Sequence, residues 1–219
     1  MAENSSSDKV LGVDKKVIEA FLELIRDKYS TVDEANYFLE SRTGASGVNI
    51  AIVNQRDFTS HLATVLKNPG LPNEKHYDQL SAAEEHLRRA IIECYQRSLN
   101  IKLIGIQELL PQYKRIVLRG RDKNPKFKDA PAFTQIRDTL RTIQGYQTKG
   151  RKAKSRNNWD KEWEDGVKAF MDAFELAVNL EESMEIYIST KETTNNPWKI
   201  AAIGLFALCL ILAIAIVFK

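Results

Sequence analysis

Two histidines of this chain stand among dense charged and polar residues on otherwise core-forming segments. The first segment, QRDFTSHL, carries Arg56, Asp57, Ser60 and His61; the second, SAAEEHLRRA, carries Glu84, Glu85, His86, Arg88 and Arg89. An imidazole takes or gives a proton near neutral pH, a guanidinium grips phosphate or carboxylate with a planar fork, and a neighbouring carboxylate orients either. On a helix His61 lies five residues after Arg56, about 140° round the axis, so both can border one groove without touching. Two such helices packed antiparallel would gather the charges. The same residues also allow a purely structural arrangement, in which Arg56 and Asp57 pair with Glu84, Glu85 and Arg88 while His61 and His86 are hydrogen-bonded at the bundle edge.

The string Arg56-Asp57-Phe58-Thr59-Ser60-His61 resembles the Arg, polar residue, short spacer, His pattern of the HEPN superfamily, whose all-α bundles often cleave RNA in toxin and antiviral systems. The resemblance implies a metal-independent ribonuclease in which two protomers bring Arg and His together. His61 would then be the general acid or base, Arg56 would stabilise the phosphorane charge, and Asp57 would orient Arg56 through a charge-assisted hydrogen bond. Membrane-attached proteins of this kind occur among accessory factors of prokaryotic defence systems, so a homo-oligomer and a defence-complex partner protein are implied as well.

Other chemistries leave no trace. The sequence contains no GxxxxGK[ST], no GxGxxG after a strand, no GxSxG, no paired cysteines and no HExxH, which removes the familiar nucleotide, hydrolase and zinc sites and implies neither metal nor cofactor. Cys94, beside Ile91, Ile92 and Tyr95, reads as a packing residue, and Cys209 lies in an apolar run, so no intramolecular disulfide is expected.

That apolar run is the strongest single signal. Residues 200–218 read IAAIGLFALCLILAIAIVF, without a charge, and at ~1.5 Å per residue they reach roughly 28 Å, close to the hydrocarbon thickness of a bilayer. A helix apolar all round must be buried in a core or in lipid, and only Lys219 follows it. Trp198 and Lys199 suit the headgroup boundary. The start, MAENSSSDK, is polar and lacks the apolar stretch of a signal peptide, so the expected layout is a tail-anchored, single-pass membrane protein with its body in the cytoplasm.

The formal charge of +3 conceals a division. Residues 1–110 carry 13 basic and 16 acidic side chains, 111–161 carry 15 and 4, and 162–196 carry 2 and 9. The basic block at 114–156, with Lys114, Arg115, Arg119, Arg121, Arg151, Lys152, Lys154 and Arg156, could bind RNA through phosphates, lean on anionic headgroups, or neutralise the acidic segment after it.

The elements that must position these residues are helices throughout, an all-α bundle. Beyond a flexible 1–12, a first helix from residue 13 or 14 aligns Val17, Ile18, Phe21, Leu24, Ile25 and Tyr29, and a second begins at Thr31, where Thr31 and Glu34 make a capping-box pattern. A third over 48–66 turns Ile52, Phe58, Leu62, Val65 and Leu66 inward, and a fourth over 74–110, with Tyr77, Leu80, Leu87, Ile91, Cys94, Leu99, Leu103, Ile106 and Leu110 near heptad spacing, ends or kinks at Pro111. A helix over 132–147 closes a bundle spanning 13–158. The acidic helix over 159–190, within a segment 159–196 that includes the juxtamembrane linker, carries Phe170 and Phe174 on a long stripe, either a bundle helix or a stalk-like helix that pairs with its copy before the anchor at 199–219. Two functions follow: a membrane-tethered HEPN-like effector that binds and cleaves RNA, or a non-enzymatic oligomer that scaffolds partners at the membrane or perturbs it.

Overall fold

The computed structural model describes residues 9–10, 12–46, 48–120, 133–153 and 159–194. The described residues are helical apart from one small ladder and short turns. Strands β1 (Lys9–Val10) and β2 (Val13–Asp14) pair antiparallel, Lys9 against Asp14 and Val10 against Val13, with Gly12 in the turn at φ 81°. The ladder therefore occupies part of the stretch 1–12 expected to be flexible. Asp14 then caps α1 (Lys15–Leu24): one carboxylate oxygen accepts from the Lys16 N–H at 2.9 Å, and the other accepts from Asn73 Nδ2 at 2.9 Å, tying the start of α1 to the start of a later helix.

The expected break at Thr31 does not occur. A π-helical turn over Ile25–Tyr29 carries α1 straight into α2 (Ser30–Thr43), and the Thr31 hydroxyl donates back to the Asp27 carbonyl at 2.8 Å instead of capping a new helix. The wider turn shifts the register of the inward face by one residue, and hydroxyls at Ser30 and Thr31 occupy the carbonyls of the disturbed turn. The real end is Gly44, at φ 68°, whose N–H returns to the Glu40 carbonyl at 2.9 Å.

Helix α3 (Val48–Lys67) runs back antiparallel to α4 (Asn73–Gly120). Phe58 and Val65 of α3 point inward as expected, but Ile52 and Leu66 are exposed, and the buried Asn54 satisfies its amide on the Ile50 carbonyl at 2.9 Å. On α4, Leu87, Ile91, Cys94, Leu99 and Ile106 are buried, while Tyr77 is exposed. Pro111 does not end α4. It lies within the helix, which continues to Gly120, because Ile106 before it and Tyr113 after it are both buried in one apolar cluster. That packing outweighs the lost N–H of a single proline.

Helices α5 (Phe133–Lys152) and α6 (Trp159–Thr194) complete the structure. Contacts Arg88 with Trp163, Lys102 with Glu181 and Tyr113 with Tyr187 rise together along both chains, so α4 and α6 are parallel. Helix α5 runs the other way, with Phe133 on Tyr113 at one end and Gly150 against Phe170 at the other. A first core gathers α1, α2, α3 and the first half of α4 around Phe21, Phe58, Leu87 and Ile91; a second gathers the rest of α4 with α5 and α6 around Ile106, Tyr113, Ile143 and Phe170. Tyr95, Trp163 and Val167 pack against both.

Helix α6 is consequently a bundle helix and not a free stalk. Phe170 is 0 % and Phe174 1 % exposed, and Phe174 meets Phe38 of α2 edge-on at 5.0 Å. Helix α6, the described part of the segment 159–196, thus belongs to the same body as the described residues of 13–158. Among the described residues no helix is long and apolar enough to cross a membrane; the expected span at 200–218 lies outside them.

Candidate functional site

The antiparallel α3–α4 hairpin brings both histidine segments together. Packing of Phe58 against Phe21 and Tyr29 fixes the rotation of α3, which turns Asp57 and His61 to α4 and leaves Arg56 outward. The turn between the two helices is held by the third histidine: His76 is buried, and its Nε2 lies 3.0 Å from the Asn68 carbonyl. Its role is structural.

Within the hairpin the rings of His61 and His86 stack, with centroids 5.3 Å apart and planes 28° from parallel. His61 Nδ1 lies 2.8 Å from Gln79 Oε1, so with that nitrogen as donor to the amide oxygen its Nε2 keeps a lone pair. Asp57 divides its carboxylate. Oδ1 accepts from Arg56 Nε at 3.2 Å and Nη2 at 3.1 Å, and Oδ2 stands 3.8 Å from His86 Nδ1. His86 Nδ1 is buried and makes no hydrogen bond among the described residues. Burial pushes the His86 imidazole below its ordinary value, with Asp57 opposing that shift and His61 adding to it, which favours the neutral ring.

The hydrogen bond from Arg56 to Asp57 is the one expected from the sequence. Arg56 and His61 do not share a partner among the described contacts: the guanidinium is 73 % exposed and turned to Asp57, whereas His61 turns to Gln79 and His86. Of the residues in the structural alternative, Glu84 pairs with Arg88, and Glu85 with Arg89 at 2.6 Å, each one turn along α4, and Asp57 of α3 faces His86 of α4 across the hairpin. Gln79 carried no signal in the sequence, since a glutamine on a helix becomes a histidine partner only through the hairpin register. No family model, curated protein or solved structure matches the chain.

Cys94 is a packing residue, as its neighbours suggested: it is buried, its Sγ lies 3.1 Å from Asn36 Oδ1, and burial raises the thiol to about 12. The described residues of the basic block, in contrast, do not form one surface. Lys114 and Arg115 are exposed near the C-terminal end of α4, while Arg151 and Lys152 are exposed at the C-terminal end of α5. Because α5 is antiparallel to α4, these groups sit at opposite ends of a helix of 20 residues, roughly 30 Å apart at ~1.5 Å per residue. Arg119 lies on the last turn of α4; Arg121, Lys154 and Arg156 lie outside the described residues. His86 is nearer the second group, since Arg88 packs over Trp163 at the start of α6 with 5.8 Å to the ring centre.

Proposed function

We propose that this chain is a single-pass membrane protein whose helical body is held at the cytoplasmic face by residues 199–219 and acts as an assembly module, presenting the bundle to partner proteins and to copies of itself. The observation that supports this best is the course of α6. It is locked into the second core by Phe170, Ala173, Ala177, Leu180, Met184 and Tyr187 and continues to Thr194, a few residues before the uncharged run at 200–218. A body whose last bundle helix ends a few residues before the anchor is kept close to the bilayer, which suits an assembly platform. The test is fractionation of the full chain against Leu210→Arg. A charge at the centre of a span opposes insertion by about 2.5 to 3.5 kcal/mol, so the variant should move from the membrane pellet toward the soluble fraction. Wild-type protein extracted by alkaline carbonate would overturn the anchor.

A second reading is favoured by the stacked imidazoles. Two histidines, a carboxylate and a guanidinium within one hairpin are the groups an HEPN-like, metal-independent ribonuclease uses. His61 Nε2 would take the proton of a ribose 2′-hydroxyl as that oxygen attacks phosphorus. The same proton, now on the His61 imidazolium, would pass to the departing 5′-oxygen, giving a 2′,3′-cyclic phosphate and a 5′-hydroxyl and restoring the neutral ring. Arg56, exposed but steadied by Asp57, would face the phosphorane charge. Such a protein would serve as an effector or accessory factor of a prokaryotic defence system, with RNA as substrate. The direct test is cleavage of single-stranded RNA by the wild type and by His61→Ala.

A further inference from the structure

The end of the bundle from which α6 leaves toward 200–218 carries its own surface pattern. Tyr113, Phe133 and Tyr187 meet there, with Tyr113 to Phe133 at 5.9 Å and Tyr113 to Tyr187 at 5.2 Å between ring centres, so the last turns of α4, the first turns of α5 and the last turns of α6 lie at one level. At this end of the bundle exposed apolar and basic side chains occur on both α4 and α5. Leu118 is 50 % and Phe133 36 % exposed, and Lys114 and Arg115 on α4 and Arg137 and Arg141 on α5 are exposed as well. Arg137 and Arg141 stand one and two turns below Phe133 on the lip of an open groove of about 440 Å³ floored by Leu110, Ile136 and Leu140.

Among the described residues no carboxylate lines that groove. Asp138 contacts both arginines from the side, 3.5 Å from Arg137 Nε and 3.8 Å from Arg141 Nη1, so one negative charge is shared by two positive ones in an exposed setting where such pairs are weak. Glu182 and Glu185 of α6 are exposed at a nearby level but are not among the groove residues. Among the described residues the groove itself is therefore positively charged, with Arg137 and Arg141 standing over Leu110, Phe133, Ile136 and Leu140. That combination matches the interface of a bilayer, where phosphates take the cations and the headgroup boundary takes Phe and Leu.

We infer that this end of the bundle docks on anionic phospholipid headgroups of the leaflet that receives the anchor, through Lys114, Arg115, Arg137 and Arg141, with Leu118 and Phe133 entering the boundary. The inference rests on the membrane anchoring proposed above. It also separates the two basic stretches by role, since only the 114–141 group lies at the anchored end, and the Arg151 and Lys152 group faces away from the bilayer.

The test uses the full chain reconstituted into nanodiscs of phosphatidylcholine alone or with phosphatidylglycerol, read by amide hydrogen exchange. Residues 133–141 and 114–118 should exchange more slowly in the anionic discs. The difference should vanish in about 1 M salt, where the Debye length falls to ~3 Å. It should also vanish in a variant with Lys114→Gln, Arg115→Gln, Arg137→Gln and Arg141→Gln, all at exposed positions, whose helicity is checked by circular dichroism; the salt reversal in the wild type stands as evidence even if that variant misfolds. Equal exchange in both discs with the chain firmly inserted overturns the docking while leaving the anchor intact. A chain that incorporates into neither disc overturns the anchor first. Protection by single-stranded RNA in neutral discs, with none from phosphatidylglycerol, overturns the lipid in favour of nucleic acid.

Discussion

Lys102 of α4 donates to Glu181 of α6 at 2.7 Å, in a pair whose side chains are only 23 % and 13 % exposed, and the absent side chain of Gly105 makes room for the Glu181 carboxylate. A half-desolvated pair costs more to break than to replace, because removing one partner strands the other charge. Lys102→Met should therefore lower stability by about 2 kcal/mol, the scale of a charged hydrogen bond, and Lys102→Met with Glu181→Leu should recover most of it. Urea unfolding of the three proteins checks this. If the double variant were less stable than the single one, the pair would not be the source of the loss.

Two glycines of α5 should respond oppositely to alanine. Gly145 is exposed with open space around it, so Gly145→Ala should stabilise by about 0.5 to 1 kcal/mol through helix propensity. At Gly150 an added methyl would run into the Phe170 ring, and overfilling a packed site costs about 1 to 3 kcal/mol, so Gly150→Ala should destabilise. Thermal melts of both, side by side, measure the sign directly.

The His86 shift has a consequence for acid stability. Its folded-state value is lowered, mainly by burial, so the unfolded chain binds the proton more readily and stability is full above the unfolded value of about 6.5. It should decline as pH falls through that value toward the lower folded one. Asp57 and Glu85 oppose this loss, and His61 and Arg89 add to it. His86→Gln should flatten the decline that sets in below about pH 6.5, the ordinary value of an imidazole. A denaturant midpoint with the same slope in wild type and variant would assign the acid sensitivity elsewhere.

The two functional readings part at His61. As a catalytic base, His61→Ala would abolish RNA cleavage and leave stability within about 1 kcal/mol. As an edge residue bonded to Gln79 and stacked on His86, its loss would cost roughly 1 to 3 kcal/mol by stranding its partner and would lower every activity in proportion to lost fold. Arg56→Lys adds a check, since lysine keeps the charge but not the two-pronged contact with Asp57. Measuring melting temperature and RNA cleavage on the same preparations separates the outcomes, and a wild type that cuts no RNA leaves the assembly module alone.

Much of this protein was legible from its residues because helical periodicity is local. Leu87, Ile91, Cys94 and Ile106 announce one face of α4, and Phe170 and Phe174 announce one face of α6. The same locality explains the misses. Thr31 and Glu34 have the spacing of a cap, yet a π turn stabilised by the packing of α1 and α2 carries the helix through them, and Pro111 would break an isolated helix but not one clamped by Ile106 and Tyr113. Which faces meet is a non-local matter, decided only when the helices dock. The hairpin register stacked His61 on His86 and drew in Gln79, the parallel course of α4 and α6 absorbed the acidic helix into the core, and the reversal of α5 sent one run of basic residues to opposite ends of the bundle. Charge and spacing along a chain carry no record of those distances, because they depend on side chains tens of residues away competing for the same buried surface.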